Sequence, residues 1–229
     1  MNSFEYKKVW IVIAAYNEAS VIKEVVSDLR AHGLHNIVVV DDGSIDDTGS
    51  IAIESGAHML RHQVNRGQGA ALQTGIDYTK LHQAEFIVTF DADGQHSPVD
   101  VNQMLKVLIE SEADVALGSR FLGSIVNMSR KRLLILKLAL FWTKIITGLS
   151  LTDVHNGFRI MSAKFTNEFE FTYDRMSHAS EILNYIAKNK INYIECPVTI
   201  TYTEHSMAKG QSNTDAIAIG LDLLKRRIF

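Results

Sequence analysis

The chain has 229 residues, a length that suits one sizeable domain. Hydrophobic residues make up 46% and charged residues 21%, as in an ordinary globular core. The formal net charge of −3 argues against a protein that coats nucleic acid, because such a protein carries a broad basic excess, so we expect no nucleic-acid partner.

Cysteine usage and hydropathy point to the cytoplasm. The single cysteine, Cys196, cannot form an internal disulfide, which is typical of a reducing compartment. Residues 1–8 lack the apolar core of a signal peptide, and no stretch reaches the roughly 18 to 20 uninterrupted apolar residues of a membrane-spanning helix. We therefore expect a cytoplasmic protein whose residues 1–229 form a single catalytic or binding domain.

The first half of the chain alternates strand and helix signals. In chain order the pattern predicts strand 9–15, helix about 19–32, strand 36–42, a helix ending at Ser55 and capped by Ser44 or Asp46, strand 57–62, helix about 70–81, strand 85–93, a helix from Pro98, and strand 113–120. Strands that are apolar on nearly every residue and separated by helices indicate a mainly parallel sheet covered on both faces.

The second half is less regular. It predicts a helix over 129–147, a turn and strand over 154–162, an amphipathic helix over 178–190, a strand pair or one long bent strand over 192–204, and a last helix from about 214 to 227. The fold class is therefore α/β.

Polar clusters follow three of the predicted strands. They are Tyr16-Asn17-Glu18, Asp41-Asp42 and the aspartates of "DADGQH" at 91–96. Ligands of parallel α/β sheets bind beyond the carboxyl ends of the strands, so we expect these clusters to converge on one crevice.

The aspartates of "DADGQH" favour a metal site. Gly94 permits a turn that directs Asp91 and Asp93 into the crevice, and Gln95 offers an amide oxygen. Magnesium usually takes one or two carboxylates together with substrate phosphates, so the spacing suits a metal that bridges protein and diphosphate. The alternative is a solvated turn in which the aspartates cap the following segment.

Ordered motifs along the chain carry a family resemblance. They are "IAAYNE" (13–18), "VVDDGSIDDT" (39–48), "NRGQGAALQTGI" (65–76) and "DADGQH" (91–96), followed by "GSR" (118–120), "DVHNGFR" (153–159), "SEIL" (180–183), "ECPVTITY" (195–202) and "KGQS" (209–212). The set resembles inverting glycosyltransferases of family 2, and the later motifs resemble the dolichyl- or polyprenyl-phosphate sugar synthase branch. The resemblance implies a glycosyltransferase A-type fold, a Rossmann-like αβα sandwich with a mainly parallel central sheet.

The resemblance also implies roles for individual residues. Ala14, Tyr16 and Glu18 would line the base pocket, and Asp42 would accept a hydrogen bond from the base. Asp91 and Asp93 would bind the donor diphosphate through Mg²⁺ or Mn²⁺, with Gln95 as a further metal ligand. Lys209 and the backbone near Gly67 and Gly69 would also approach the diphosphate. Each residue also has a structural alternative, such as packing for Tyr16, a first-turn acid for Glu18, or a turn at Asp42. Ala14 replaces a proline that is frequent in the family, which weakens any inference about the base.

Arginines are candidates for binding phosphate. Arg120 follows the fifth strand, and Arg130 and Arg132 open the long helix. Arg120 and one of the other two are the expected phosphate contacts, because guanidinium groups bind phosphate in a bidentate manner. Arg159 either joins them or forms a structural salt bridge, with Asp153 as a possible partner.

The acceptor determines whether a catalytic base is needed. A lipid phosphate is already anionic, whereas a sugar hydroxyl needs a base, for which Glu181 is the candidate unless it is a structural hydrogen-bond acceptor. The leading hypothesis is a metal-dependent inverting transfer of sugar from a nucleotide-sugar donor to a polyprenyl (dolichyl-like) phosphate. The alternatives are transfer to a sugar hydroxyl in cell-envelope polysaccharide and a catalytically silent nucleotide-binding partner of a membrane protein.

The helix predicted at about 130–147 suggests contact with lipid. Arg130, Lys137 and Lys144 recur every seven residues and form one stripe, and most other positions are apolar. Such a helix suits the membrane interface, although it also suits a core or a dimer contact. We expect a peripheral protein at the inner face of the cell membrane, held by this helix or by a small membrane partner, with a homo-oligomer as a further possibility. Residues 9–120 would bind the nucleotide-sugar and residues 121–229 the acceptor.

Overall fold

Seven strands and seven helices follow one another in the computed structural model, which describes residues 8–126, 128, 130–154, 156–172 and 178–202, without the side chains of 130–132 and 178. The strands are β1 (Val9–Ala15), β2 (Ile37–Asp41), β3 (His58–Arg61), β4 (Phe86–Thr89), β5 (Val115–Val126), β6 (Arg159–Ser162) and β7 (Tyr193–Thr201). The helices are α1 (Ile22–Ala31), α2 (Thr48–Glu54), α3 (Gln68–Leu81), α4 (Pro98–Glu110), α5 (Arg130–Thr147), α6 (Ala163–Glu168) and α7 (His178–Asn189).

All seven strands form one sheet in the order β3-β2-β1-β4-β6-β5-β7. Strand β1 pairs in parallel with β2 on one side and with β4 on the other, so the chain reverses its direction of winding between β1 and β4. Strand β6 is antiparallel to both of its neighbours, β4 and β5. The reversal between β1 and β4 opens a crevice at the carboxyl ends of these strands, where ligands of such sheets bind.

Two apolar layers cover the sheet because successive side chains of a strand point to opposite faces. Ile11 and Ile13 of β1 lie in one cluster with the buried faces of α1, α2 and α4. Trp10 and Val12 lie in a second cluster with α3, α6 and α7. The result is the predicted αβα sandwich with a mainly parallel sheet.

Several boundaries differ from the sequence prediction. Strand β5 continues past Arg120 to Val126, with an irregularity between Ser119 and Ser124 in its pairing with β7. Gly123 lies there against the backbone of Val198 at a distance that excludes any Cβ. The segment predicted as a strand pair or one bent strand is the single strand β7, and the short helix α6, capped by the Ser162 hydroxyl, was not predicted.

The cap of the second helix also differs. Asp47 occupies the N-cap position of α2, and the Asp46 carboxylate accepts a hydrogen bond from the N–H of Thr48 at 3.1 Å. The predicted cap Ser44 instead accepts from the N–H of Asn17. The helix predicted at about 214–227 lies outside the described residues.

Candidate active site

The loops that follow β1 and β2 are joined by reciprocal hydrogen bonds. The N–H of Asn17 donates to Ser44 Oγ and the N–H of Ile45 donates to Asn17 Oδ1, both at 2.9 Å. The N–H of Glu18 donates to Thr48 Oγ1 at 2.8 Å. Asn17 has a left-handed φ of 55°, a conformation that asparagine tolerates better than most residues. Two of the three predicted polar clusters are therefore fixed relative to each other.

Asp42 ties the end of β2 to the start of α3. Its buried carboxylate accepts hydrogen bonds from His62 Nδ1 at 2.7 Å, from the N–H of Arg66 at 2.9 Å and from the N–H of Gly67 at 2.7 Å. His62 Nε2 lies 3.0 Å from Thr74 Oγ1 of α3. Gly67 is the N-cap of α3 and has a φ of 97°, which favours glycine. Asp42 thus holds the glycine-rich turn that the sequence predicts beside the donor.

Asp91 is surrounded by donors and a close backbone contact. His96 Nε2 donates to Asp91 Oδ2 at 2.9 Å, and Gln68 Nε2 donates to Oδ1 at 3.2 Å. A Cβ on Gly157 would lie 2.6 Å from Oδ1 and 2.8 Å from Oδ2. Any larger residue at position 157 would therefore force the Asp91 carboxylate to move.

The carboxyl group of Asp93 has a raised pKa. Burial, followed by the negative charge of Asp91, raises the pKa of Asp93 to about 6. The N–H of Gln95 donates to Asp93 Oδ1 at 3.1 Å, and the carbonyl of Gln95 accepts from the N–H of Thr201 at 3.0 Å. The energetic cost of two neighbouring partly buried carboxylates is relieved by an added cation.

The donor set of this strand end fits a divalent cation. Asp91 and Asp93 supply carboxylate oxygens, Gln95 lies two residues further on, and burial together with the charge of Asp91 raises the pKa of Asp93. Among the residues that the structure describes, no three His, Cys, Asp or Glu side chains come together as a metal site. Magnesium sites commonly use one or two carboxylates, completed by water and substrate phosphates.

Arg120 is buried in a hydrogen-bonded network. Its Nε donates to Asp153 Oδ2 at 2.6 Å and its Nη1 donates to the Tyr202 hydroxyl at 2.7 Å. Glu195 of β7 fixes the same segment by accepting from the N–H groups of Thr152 and Asp153. Arg120 is only 4% exposed, so within the described structure its guanidinium serves a buried ion pair.

Comparison with known proteins assigns the family. The model of glycosyl transferase family 2 matches residues 10–169 of the chain. The chain belongs to glycosyltransferase family 2. It is 33% identical over 97% of its length to the UDP-N-acetylglucosamine–dolichyl-phosphate N-acetylglucosaminyltransferase of Methanococcus voltae, covering 96% of that protein. It is 28% identical to the polyprenol monophosphomannose synthase of Mycolicibacterium smegmatis, covering 87% of this chain and 79% of the relative.

The glycosyltransferase also resembles a solved structure. Glucosyl-3-phosphoglycerate synthase from Mycobacterium tuberculosis, crystallised with Mn²⁺, UDP-glucose and phosphoglyceric acid, superposes with a TM-score of 0.69 at 16% identity, covering 95% of this chain and 77% of the other. The glycosyltransferase A-type sandwich predicted from the sequence is confirmed. In the part of the chain that the structure describes, no helix is both long and apolar enough to cross a bilayer.

The remaining predicted site residues of the glycosyltransferase are distributed as follows. Ala14 lies at the end of β1, Tyr16 is 44% exposed just beyond it, Glu18 is buried in the loop, and Gly69 is buried in the first turn of α3. The carboxylate of Glu181 accepts from the N–H of Thr172 at 2.9 Å and from its hydroxyl. The side chain of Arg130 and all of Lys209 lie outside what the structure describes. The roles predicted for all of these residues stay predictions.

Sequence reasoning missed four polar residues of the site. Gln68 and His96 contact Asp91, His62 contacts Asp42, and Glu195 holds the segment that carries Asp153. His96 could have been predicted from the sequence, because it is the last residue of the "DADGQH" motif that contains the two aspartates. Among the described residues Asp153 forms its ion pair with Arg120, while its charge acts on Arg159 without a direct ion pair.

Proposed function

We propose that this glycosyltransferase moves a sugar from a nucleotide-sugar donor to the phosphate of a polyprenyl, dolichyl-like lipid. Relatives with 33% and 28% identity are named as dolichyl-phosphate and polyprenol-phosphate enzymes, and the likeness spans most of each chain. The observation that carries the proposal is the crowded pair Asp91 and Asp93 at the β1–β4 crevice. The alternative of a silent nucleotide-binding protein lacks a reason to maintain such a pair.

We assign Asp91 and Asp93 to a Mg²⁺ or Mn²⁺ ion, with Gln95 as a further ligand. When bound, the ion supplies a Lewis acid that neutralises the charge developing on the departing nucleoside diphosphate. The structurally similar glucosyl-3-phosphoglycerate synthase was crystallised with Mn²⁺ and UDP-glucose in one case and with Mg²⁺ and UDP in another. His96 and Gln68 would orient the Asp91 carboxylate for this role, since hydrogen bonds to ligating groups fix their direction.

We propose that the nucleotide lies along the loops fixed by Asp42. Tyr16 is half-exposed at this junction, which suits stacking on a base, while Glu18 and Ala14 flank it. The Asp42 carboxylate already accepts three protein hydrogen bonds. Each carboxylate oxygen accepts more than one donor, so a base N–H can still be added.

The acceptor is proposed to be an anionic phosphate rather than a hydroxyl. An anionic oxygen needs no general base, and the one carboxylate predicted for that role, Glu181, is occupied by Thr172. Arg130 is proposed to contact the phosphate, and Arg120, buried in its pair with Asp153, is proposed to contribute positive charge without direct contact. Lys209 is proposed to approach the diphosphate.

One face of α5 supports contact with a membrane surface. Its side chains are 46% to 61% exposed and recur at helical spacing: Leu134, Leu138, Phe141, Trp142 and Ile145. On the opposite side Leu136 is buried, and Ala139 and Leu140 pack on the cluster that includes α7. An exposed apolar stripe with a tryptophan and flanking lysines suits insertion into the headgroup region. We propose that the protein is peripheral at the inner face of the membrane, with residues 9–120 serving the donor and 121–229 the acceptor.

The reaction is tested by product chemistry. The full chain is incubated with dolichyl or undecaprenyl phosphate, Mn²⁺ and radiolabelled UDP-, GDP-, CDP- or dTDP-sugars, and the lipid phase is extracted. We expect a labelled lipid that mild acid cleaves, as a glycosyl phosphate. Asp93→Asn should abolish it, whereas Asp77→Asn, which neutralises an exposed aspartate of α3, should not. An acid-stable or water-soluble glycoside would support the hydroxyl route, and full activity of Asp93→Asn would refute the metal assignment.

Membrane contact is tested separately with vesicles. Phe141→Ser/Trp142→Ser should release the protein from anionic liposomes in a flotation assay. Leu81→Ser is the matched control, because Leu81 is 82% exposed on α3 and lies outside the stripe. Equal flotation of both variants would contradict the role of α5 and leave a membrane partner as the anchor.

A further inference from the structure

The outer edge of β7 is joined to the segment that follows the two aspartates. The N–H of Thr199 donates to Asp100 Oδ2 at 2.7 Å, and the N–H of Thr201 donates to the carbonyl of Gln95 at 3.0 Å. Pro197, two residues before Thr199 on the same side of the strand, has no N–H to offer. The segment therefore covers a sheet edge whose N–H groups would otherwise face solvent or another chain.

The same segment contacts both aspartates. The N–H of Gln95 donates to Asp93 Oδ1 at 3.1 Å, and His96 Nε2 donates to Asp91 Oδ2 at 2.9 Å. The backbone of His96 forms an antiparallel bridge with Ile200 of β7. Strand β7 thus supports the two residues that hold the carboxylates.

The His96 ring is closely packed. Its side chain is only 2% exposed, and its ring centroid lies 5.3 Å from that of Phe90 and 4.9 Å from that of Phe158. A ring packed in this way keeps its hydrogen bond to Asp91 only while the backbone that carries it stays in place. The orientation of His96 therefore depends on the contacts that hold the segment on β7.

Asp100 provides the side-chain contact between this segment and β7. It lies in the first turn of α4 and is 8% exposed. Gln95 and His96 meet β7 through their backbone, whereas the bond to Thr199 requires an acceptor in the side chain at position 100. A substitution of Asp100 can therefore loosen the support of the site without altering either aspartate.

We propose that Asp100 is a positioning residue for the Asp91–Asp93 pair. Its carboxylate holds β7 against the preceding segment and so fixes the hydrogen bond from His96 to Asp91. Hydrogen bonds to metal ligands set their direction, and losing one typically weakens metal binding about 10- to 100-fold. The part of this inference that concerns cation affinity rests on the metal site proposed above; the part that concerns His96 does not.

The position of His96 is tested by NMR of the full chain labelled with ¹⁵N-histidine, in metal-free buffer with EDTA. The Nε2 proton is assigned with His96→Gln, and its exchange with water is measured by saturation transfer. Asp100→Ala removes the acceptor of the Thr199 N–H and should speed this exchange at least about tenfold. Asp100→Asn keeps an amide oxygen as acceptor and should stay within about threefold of wild type. An unchanged rate in Asp100→Ala, or no Nε2 proton signal in wild type, would overturn the proposal.

Ser162→Ala is the matched control. It also removes a side-chain oxygen that accepts from a backbone N–H, that of Phe165 at 3.2 Å. Ser162 pairs with Phe86 at the start of β4, so it lies at the rim of the sheet opposite the aspartates. Both Ser162→Ala and Asp100→Ala should lower the melting temperature by about 2–8 °C, but only Asp100→Ala should change the exchange of the His96 proton. The same change in both variants would assign Asp100 to general stability and overturn the proposal.

The affinity part is tested by calorimetric titration of the full chain with Mn²⁺ alone. Asp100→Ala should bind Mn²⁺ at least about tenfold more weakly than wild type, and Asp100→Asn and Ser162→Ala should stay within about threefold. Equal binding by Asp100→Ala would overturn this part. If the wild type itself binds no Mn²⁺, the proposed metal site fails, while the His96 measurement still decides on Asp100.

Hydrogen exchange of the wild type tests the same coupling if Asp100→Ala is recovered only in small amounts. Coupling between two sites is reciprocal, so saturating Mn²⁺ should slow deuterium uptake by the peptide that contains Thr199 at least about threefold. The peptide that contains Phe165 should keep its rate. Equal uptake by the Thr199 peptide with and without bound Mn²⁺ would overturn the proposal.

Discussion

Replacing Asp153 by asparagine should cost the protein much of its stability. The Asp153 side chain has no exposed surface and that of Arg120 is 4% exposed. The carboxylate accepts both the backbone N–H of Arg120, at 3.1 Å, and its Nε, at 2.6 Å. Asp153→Asn preserves the shape of the side chain but leaves the Arg120 guanidinium buried without its counter-charge.

The size of the effect follows from this burial. Removing one partner of a buried pair typically costs about 3–5 kcal/mol. For a protein of this length, 1 kcal/mol corresponds to about 2–4 °C, so the melting temperature should fall by roughly 6–20 °C. Domains are typically stable by only about 5–15 kcal/mol, so the loss should be visible in the yield of folded protein as well.

The assay is thermal unfolding followed by circular dichroism, with Asp114→Asn as the control. Asp114 accepts from Lys164 at 3.1 Å, but that lysine is 71% exposed, so its loss should cost no more than about 1 kcal/mol. If Asp153→Asn melted within the range of this control, the argument that Arg120 depends on a buried counter-charge would be refuted.

Three further results are expected. Gly157→Ala should raise the Mn²⁺ concentration needed for thermal stabilisation by UDP at least about tenfold, since the new methyl group meets the Asp91 carboxylate at 2.6 Å. An unchanged Mn²⁺ requirement would show that this space is not needed. His62→Ala should weaken UDP binding by about 1–3 kcal/mol in a calorimetric titration by releasing Asp42, and should do so with or without Mn²⁺; an effect seen only with Mn²⁺ would contradict this. Burial raises the pKa of the Cys196 thiol to about 11, so at pH 8 its alkylation by iodoacetamide should be about 100-fold slower in the folded protein than in guanidinium, rising with pH; equal rates would show that Cys196 is accessible.

The first half of the chain was predictable because its signals are local. Strands such as "VWIVIAA" and "NIVVVDD" are apolar on both faces, and the helices between them have regular spacing, so β1 to β4 lie where the pattern predicts them. The convergence of Asp42 and Asp91 on one edge follows from parallel strand direction alone.

The polar partners of the site were not predictable, because they depend on distant pairing. Arg120 and Asp153 are 33 residues apart, and Glu195 reaches Thr152 across 43 residues. Nothing in the local sequence distinguishes an arginine that contacts phosphate from one that lies in a buried ion pair. Helix α6 was missed for a related reason, since six residues are too few for a periodic pattern.

The reversed direction of β6 has a consequence for how such enzymes diversify. Because this strand runs against β4 and β5, the connection that leads into it arrives at the same rim of the sheet at which β4 and β5 end. Residues 148–154 and 156–158 therefore lie toward the rim that carries the proposed site. A parallel strand at the position of β6 would place its preceding connection at the opposite rim. Insertions or substitutions in this connection can alter the proposed acceptor side while the loops proposed to bind the donor, anchored on β1 and β2, remain unchanged.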